Sequence, residues 1–157
     1  LASGIADTDT YMKAGINVSI GTDGTASNNT LDMVEEMRFA ALLPKGSLHN
    51  PEAVNARTAL RMATINGAKA LGIHHLTGSL EVGKRADLIV IHADASNMLP
   101  IYDVYSAIVY ASNSKNIRSS MVNGKWIKRN RELLNINKTE TMESMKHIVN
   151  SQIDNRK

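Results

Sequence analysis

Gly15-Ile16-Asn17-Val18-Ser19-Ile20-Gly21-Thr22-Asp23-Gly24 is the stretch from which the chain is best read. A short apolar run, 16–21, ends in one carboxylate held between glycines. A run of this length reads as a buried strand, and Gly21 and Gly24 mark the point where the chain turns out of it. In α/β barrels and open α/β sheets, chemistry gathers at the carboxyl ends of buried parallel strands. Asp23 is therefore a candidate catalytic residue. Aspartate also forms turns and caps helices, so the local sequence leaves both roles open.

Residues 6–14 read as a short helix before the strand. On the other side, Asp32–Leu43 reads as an amphipathic helix, with Met33, Met37, Ala40 and Ala41 on one side and Glu35, Glu36 and Arg38 largely on the other. Pro44-Lys45-Gly46 is expected to stop it. Asn50-Pro51-Glu52 reads as the next helix start, a cap followed by proline at the first helical position. The helical pattern then runs to Leu71-Gly72, with a break near Thr64–Asn66 and Thr64 as N-cap of Ile65–Leu71.

After Gly72 the pattern changes. Gly78–Lys84 reads as a short strand and tight turn, and Leu88–Ile91 as a buried strand. Ile117–Val122 and Lys125–Arg129 flank Asn123-Gly124, the strongest hairpin signal in the chain. Residues 139–153 form a last amphipathic helix, with Met142, Met145, Val149 and Ile153 as its apolar stripe. Strand and helices come first, then short strands and a closing helix. One strand with its helices cannot close a parallel barrel, so the first part is expected to be incomplete. The opening Leu1-Ala2-Ser3-Gly4 adds to the expectation of a piece of a longer protein.

The 157 residues suffice for one domain with a core. Lys plus Arg is 18 and Asp plus Glu is 15, but the balance is uneven. Residues 1–111 carry 8 basic and 11 acidic side chains, and residues 112–157 carry 10 and 4. The basic tail is interleaved with apolar residues and lacks an aromatic ladder, so it reads as a solvated face; no nucleic-acid partner is expected. Cysteine is absent, which excludes disulfides, thiolate catalysis and thiolate zinc ligation within this chain. No apolar run approaches the roughly 20 residues of a membrane-spanning helix, and neither a membrane partner nor a signal peptide is expected. No Walker loop or dinucleotide fingerprint is present. The five histidines, His49, His74, His75, His92 and His147, form neither His-x-His nor His-Glu-x-x-His. The adjacent His74 and His75 read as a structural pair at a helix exit, where the dipole favours a cation.

Several blocks, in order, resemble the amidohydrolase superfamily: Leu1–Gly4, Gly21-Thr22-Asp23-Gly24, Ser27-Asn28-Asn29, Leu31-Asp32-Met33 and Glu35-Glu36-Met37-Arg38. Met62–Gly72, Gly78–Leu88, Val109-Tyr110-Ala111 and Val122-Asn123-Gly124-Lys125 continue the match, the last two as strands. The branch it resembles contains deaminases of 5-methylthioadenosine and S-adenosylhomocysteine, with related chlorohydrolases. The resemblance implies an α/β fold: the C-terminal third of a (β/α)8 barrel hydrolase, with part of a small β-sandwich. Residues 1–75 would be the end of the barrel, 76–135 part of the sandwich, and 136–157 a C-terminal helix.

It further implies that Asp23 ends the eighth barrel strand, binds a metal, and accepts a proton from the attacking water. A His-x-His pair, two further histidines and a glutamate acid/base would lie before Leu1. The cofactor would be a divalent ion, zinc or iron, in the full-length enzyme; one aspartate cannot hold it tightly, so the isolated chain should be inactive. Ser27 and Asn28 would contact substrate; Ser27 and Asn29 are alternatively helix caps, the reading favoured for Asn29. Asp32 and Glu35 suit the helix dipole, and Asp87 is a structural carboxylate at a strand entry. The implied activity is hydrolytic deamination of an adenosine-type nucleoside in the cytoplasm. The alternatives are a guanine deaminase, an s-triazine chlorohydrolase-like enzyme, or a non-catalytic interaction module. Apolar faces left by missing barrel strands should produce a homo-oligomer or disorder over residues 1–45.

Overall fold

The computed structural model describes residues 4–154. Leu1–Ser3, part of the first matching block, lie outside the described residues, as do 155–157 at the end of the expected C-terminal helix. The chain is a mixed α/β fold with one four-stranded antiparallel sheet.

Helix α1 (Thr8–Lys13) is capped by Asp7, whose carboxylate accepts from the Thr10 N–H at 3.2 Å. Segment 16–24 follows and is not a strand. This corrects the expectation, and the reason is physical: a strand exists only where a neighbouring backbone completes its ladder. Here side-chain amides and a backbone bond to Met62 stand where a ladder would. The Asn17 amide donates to the Asn66 carbonyl (2.9 Å), and the Asn66 amide donates to the Val18 carbonyl (3.0 Å). The Ile20 N–H donates to the Met62 carbonyl at 3.1 Å. Val18 and Ile20 still pack on the core, two residues apart as strand periodicity requires.

Helix α2 (Met33–Leu48) starts at Asp32, which accepts from the Val34 and Glu35 N–H groups. Asp32, not Ser27 or Asn29, is thus the cap. The helix does not stop at Pro44-Lys45-Gly46. Its buried face is Val34, Met37, Ala41 and Pro44, so the proline continues the i, i+3, i+7 stripe with its ring packed inward. Proline forfeits one ladder bond. The last turn is tied down elsewhere: the Lys45 ammonium donates to the carbonyls of Ala53 and Val54. Desolvation there lowers the Lys45 pKa. His49, in a left-handed conformation, ends the helix with its N–H on the Lys45 carbonyl.

Asn50-Pro51-Glu52 forms a turn rather than a helix start. The Asn50 side chain accepts from the Glu52 N–H (3.0 Å), which uses it to close the turn. Helix α3 (Ala56–Met62) begins after Asn55, whose side chain accepts from the Thr58 N–H at 2.9 Å. The expected break separates α3 from α4 (Ile65–Ala70). Thr64 does not cap α4 with its hydroxyl, which instead donates back to the Leu60 carbonyl at 2.7 Å.

Gly78–Lys84 contains a turn, closed by the Lys84 N–H on the Glu81 carbonyl, but no strand. Strand β1 (Leu88–Ile91) is half exposed, not buried, because Ile89 and Val90 face solvent. It pairs with β2 (Ile117–Val122), which pairs with β3 (Lys125–Arg129), which pairs with β4 (Glu132–Leu133). The hairpin turn has Asn123 and Gly124 at φ of 49° and 76°, the two left-handed residues that match strand twist.

Val109-Tyr110-Ala111 is helical, not a strand. Helix α5 (Val104–Ser106) runs into a π-helical turn, Ala107–Ala111, that buries Ala107 and Val109. Val109 is fully buried in the cluster with Val34, Met37, Ala41, Ala56, Ala59 and Met62. A helical turn brings this apolar side chain onto α2 and α3. Helix α6 (Lys138–Asp154) carries the expected stripe, and Met142, Met145, Val149 and Ile153 are exposed. Among the described residues no helix is long and apolar enough to cross a membrane.

Candidate active site

Asp23 stands at the start of the loop that joins segment 16–22 to α2. Its backbone is left-handed (φ 59°), a conformation that aspartate tolerates better than most residues. One carboxylate oxygen accepts from the Gly24 N–H at 2.7 Å, and the side chain is otherwise exposed. The Thr22 hydroxyl donates to the Asp23 carbonyl at 3.1 Å. The loop folds back on itself: the N–H groups of Ser27 and Asn28 both donate to the Gly24 carbonyl, at 3.0 and 2.9 Å.

This geometry opens a concavity of about 450 Å³ lined by Asp23, Ser27, Asn28, Glu35, Glu36 and Phe39, among others. The three residues singled out in the sequence, Asp23, Ser27 and Asn28, therefore share one wall. Ser27 is exposed there. Asn28 is half-buried and heavily engaged. Its Oδ1 accepts from the Thr30 N–H (3.0 Å), the Thr30 hydroxyl (3.0 Å) and the Leu31 N–H (3.2 Å). Its Nδ2 donates to Glu36 Oε1 at 2.6 Å.

The sequence alone does not mark Glu35, Glu36, Thr30 or Phe39 as site residues, yet all four line the concavity. The Thr30 hydroxyl also lies 2.9 Å from Glu35 Oε2. A signal was available: once Asp32 is the cap, Glu35 and Glu36 occupy the first turn and face back toward the loop that precedes the helix. Phe39, one turn beyond Glu35, is a partly exposed aromatic at the rim.

A divalent ion needs several donors, and among the described residues no group of three His, Asp or Glu side chains could hold one. The donor chemistry of Asp23 does suit such an ion, because a carboxylate with one lightly used oxygen is a hard ligand. Asp23 is thus chemically fit to be a metal ligand, and among the described residues it has no companions to complete a set. The histidines stand elsewhere: His49 ends α2, and the rings of His74 and His75 pack edge-on at 6.1 Å. Asp87 has the structural role expected of it. It accepts from the Thr77 hydroxyl (2.7 Å) and the Asn123 N–H (2.6 Å), which joins the hairpin turn to the strand entry. These bonds, the Asn123 N–H foremost, hold its pKa below the usual aspartate value.

Known proteins are similar to this chain in sequence and in fold. A 5-methylthioadenosine/S-adenosylhomocysteine deaminase from Acetivibrio thermocellus is 45% identical over 148 residues, which are 94% of this chain and 34% of that protein. The crystal structure of an adenosine deaminase from Xanthomonas campestris with bound zinc superposes with a TM-score of 0.91 at 38% identity, covering 94% of this chain and 34% of that one. An atrazine chlorohydrolase from Arthrobacter aurescens, complexed with zinc, superposes with a TM-score of 0.86 at 29% identity, covering 93% and 32%. The chain spans about a third of the length of the curated relatives it matches. The model of the family described as "Amidohydrolase family" matches residues 1–127. That match takes in segment 16–24, the Asp23 loop, the helical core and the β2–β3 turn, and the chain belongs to the amidohydrolase family.

Proposed function

We propose that the full-length protein is a metal-dependent aminohydrolase that deaminates an adenosine-type nucleoside resembling 5-methylthioadenosine or S-adenosylhomocysteine. In this reading segment 16–22 is a strand of a (β/α)8 barrel whose neighbours lie outside this chain. The observation that carries the reading is Asp23, an exposed carboxylate on a glycine-bounded loop beside a concavity large enough for a heterocycle. The name of the Acetivibrio relative supports the substrate class.

Hydrolytic deamination adds water to the purine carbon bearing the amino group and releases ammonia. Neutral water is a weak nucleophile, and a bound divalent ion would lower its pKa to about 7. Asp23 would be one ligand of that ion, zinc or iron, and a proton acceptor for the attacking water. Ser27 would contact the substrate from the same wall, with Asn28 beside it.

The test is ammonia release by the full-length protein from 5-methylthioadenosine, S-adenosylhomocysteine and adenosine. Turnover of at least one of the three is expected. Release of chloride from s-triazines, with no turnover of the nucleosides, would overturn this reading. It would favour instead the second one, which the likeness to the Arthrobacter enzyme supports.

A further inference from the structure

We infer that Asn28 and Glu36 form a positioning pair that fixes the Asp23 loop onto α2. The inference rests on the proposed role of Asp23. The carboxylate of Asp23 has only a local anchor, the Gly24 N–H, so its place depends on where Gly24 is held. The Gly24 carbonyl is bound by the Ser27 and Asn28 N–H groups. Asn28 then reaches in two directions. Its carbonyl oxygen gathers Thr30 and Leu31, which closes the far end of the loop. Its amide nitrogen donates to Glu36, at 2.6 Å the shorter and charge-assisted link.

Glu36 is a firm anchor because of its helix. It lies between Val34 and Met37, both buried in the main core, on a helix whose N-terminus Asp32 caps. A continuous path thus runs from the core, through Glu36 and Asn28, to the residue after Asp23. The Thr30 hydroxyl lies between Asn28 Oδ1 and Glu35 Oε2, at 3.0 and 2.9 Å, and its one proton serves either. Asn28 is well used in this way, with the Thr30 and Leu31 N–H groups on its oxygen and Glu36 on its nitrogen. That occupation suits a residue that shapes the loop better than one reserved for substrate.

The pair can be tested by exchanging donor and acceptor in the full-length protein. Asn28→Asp keeps the acceptor for Thr30 and Leu31 but sets a carboxylate against Glu36. Small displacements of reacting groups are costly, so kcat should fall ~10- to 100-fold with KM changed less. Zinc affinity, measured by chelator competition, should fall ~10-fold, the size seen when outer partners of metal ligands are removed. The double variant Asn28→Asp/Glu36→Gln restores the bond with its direction reversed, the glutamine amide donating to the aspartate. It should recover most of both losses, which a general loss of stability would not do. The inference is overturned if the double variant is as impaired as Asn28→Asp alone, or if Asn28→Asp keeps wild-type kcat and zinc affinity. Should the wild-type protein deaminate no adenosine derivative, the proposed function fails, while the zinc-affinity comparison still decides the role of this pair.

Discussion

Segment 16–22 and the β2–β3 hairpin are alike in being short, partly apolar and turned at glycine, yet only the hairpin is sheet. In the hairpin, Ser120 faces Lys128, Met121 faces Trp126 and Val122 faces Lys125 across one tight turn. Its partner is the next segment of the same chain, and β1 and β4 flank it. Segment 16–22 finds no such neighbour. Two asparagine amides and one backbone bond to Met62 stand in for a ladder. The lesson is that strand character depends on what lies beside a segment, and a local pattern states only half of it.

The most forceful way to break this comparison is amide hydrogen exchange on the full-length protein. If barrel neighbours flank segment 16–22, its amides should be as protected as those of β2. Opening free energies of core strands approach the global stability, so the factor over the 157-residue chain alone should exceed about 10³. Equal, weak protection of residues 17–21 in both proteins would mean that the segment is never a strand.

A smaller effect sharpens the hairpin side. Asp87 holds the Asn123 N–H and the Thr77 hydroxyl, and its pKa lies below the ordinary aspartate value. A depressed carboxylate contributes stability that is present above its unfolded pKa and lost as pH falls through its lower folded pKa. Asp87→Asn should therefore lower stability near neutral pH and flatten the acid slope of the denaturation midpoint below about pH 4. An unchanged slope would show that the clamp on the hairpin turn is energetically silent.

Local signals were legible where the chain contains everything the element needs. Asn123-Gly124 marked the hairpin, and its two residues adopt the positive φ values that the turn requires. The α3–α4 break is equally local, whereas the structural role of Asp87 rests on the resemblance, and its Asn123 partner lies 36 residues away. Pro44 misled because its cost to a helix is one ladder bond, while burial of its ring on the core stripe is visible only in three dimensions. The strand expected at Val109-Tyr110-Ala111 rests on the resemblance alone, and contact with α2 and α3 selects a helical turn there. For the site, the glycine-bounded carboxylate points to Asp23, and the resemblance adds Ser27 and Asn28. From the sequence Glu35 reads as a match to the helix dipole, and Glu36 only as part of the polar side of α2. Their bonds to Asn28 and Thr30 depend on how the loop folds back, which spacing does not state.

The central claim is that Asp23 is one ligand of a metal site completed by residues outside this chain. Metal content of the purified full-length protein, wild-type beside Asp23→Ala, tests it most directly. The account predicts zinc or iron near one per chain in the wild-type protein, lost on substitution. A variant that retains the wild-type metal content would contradict it.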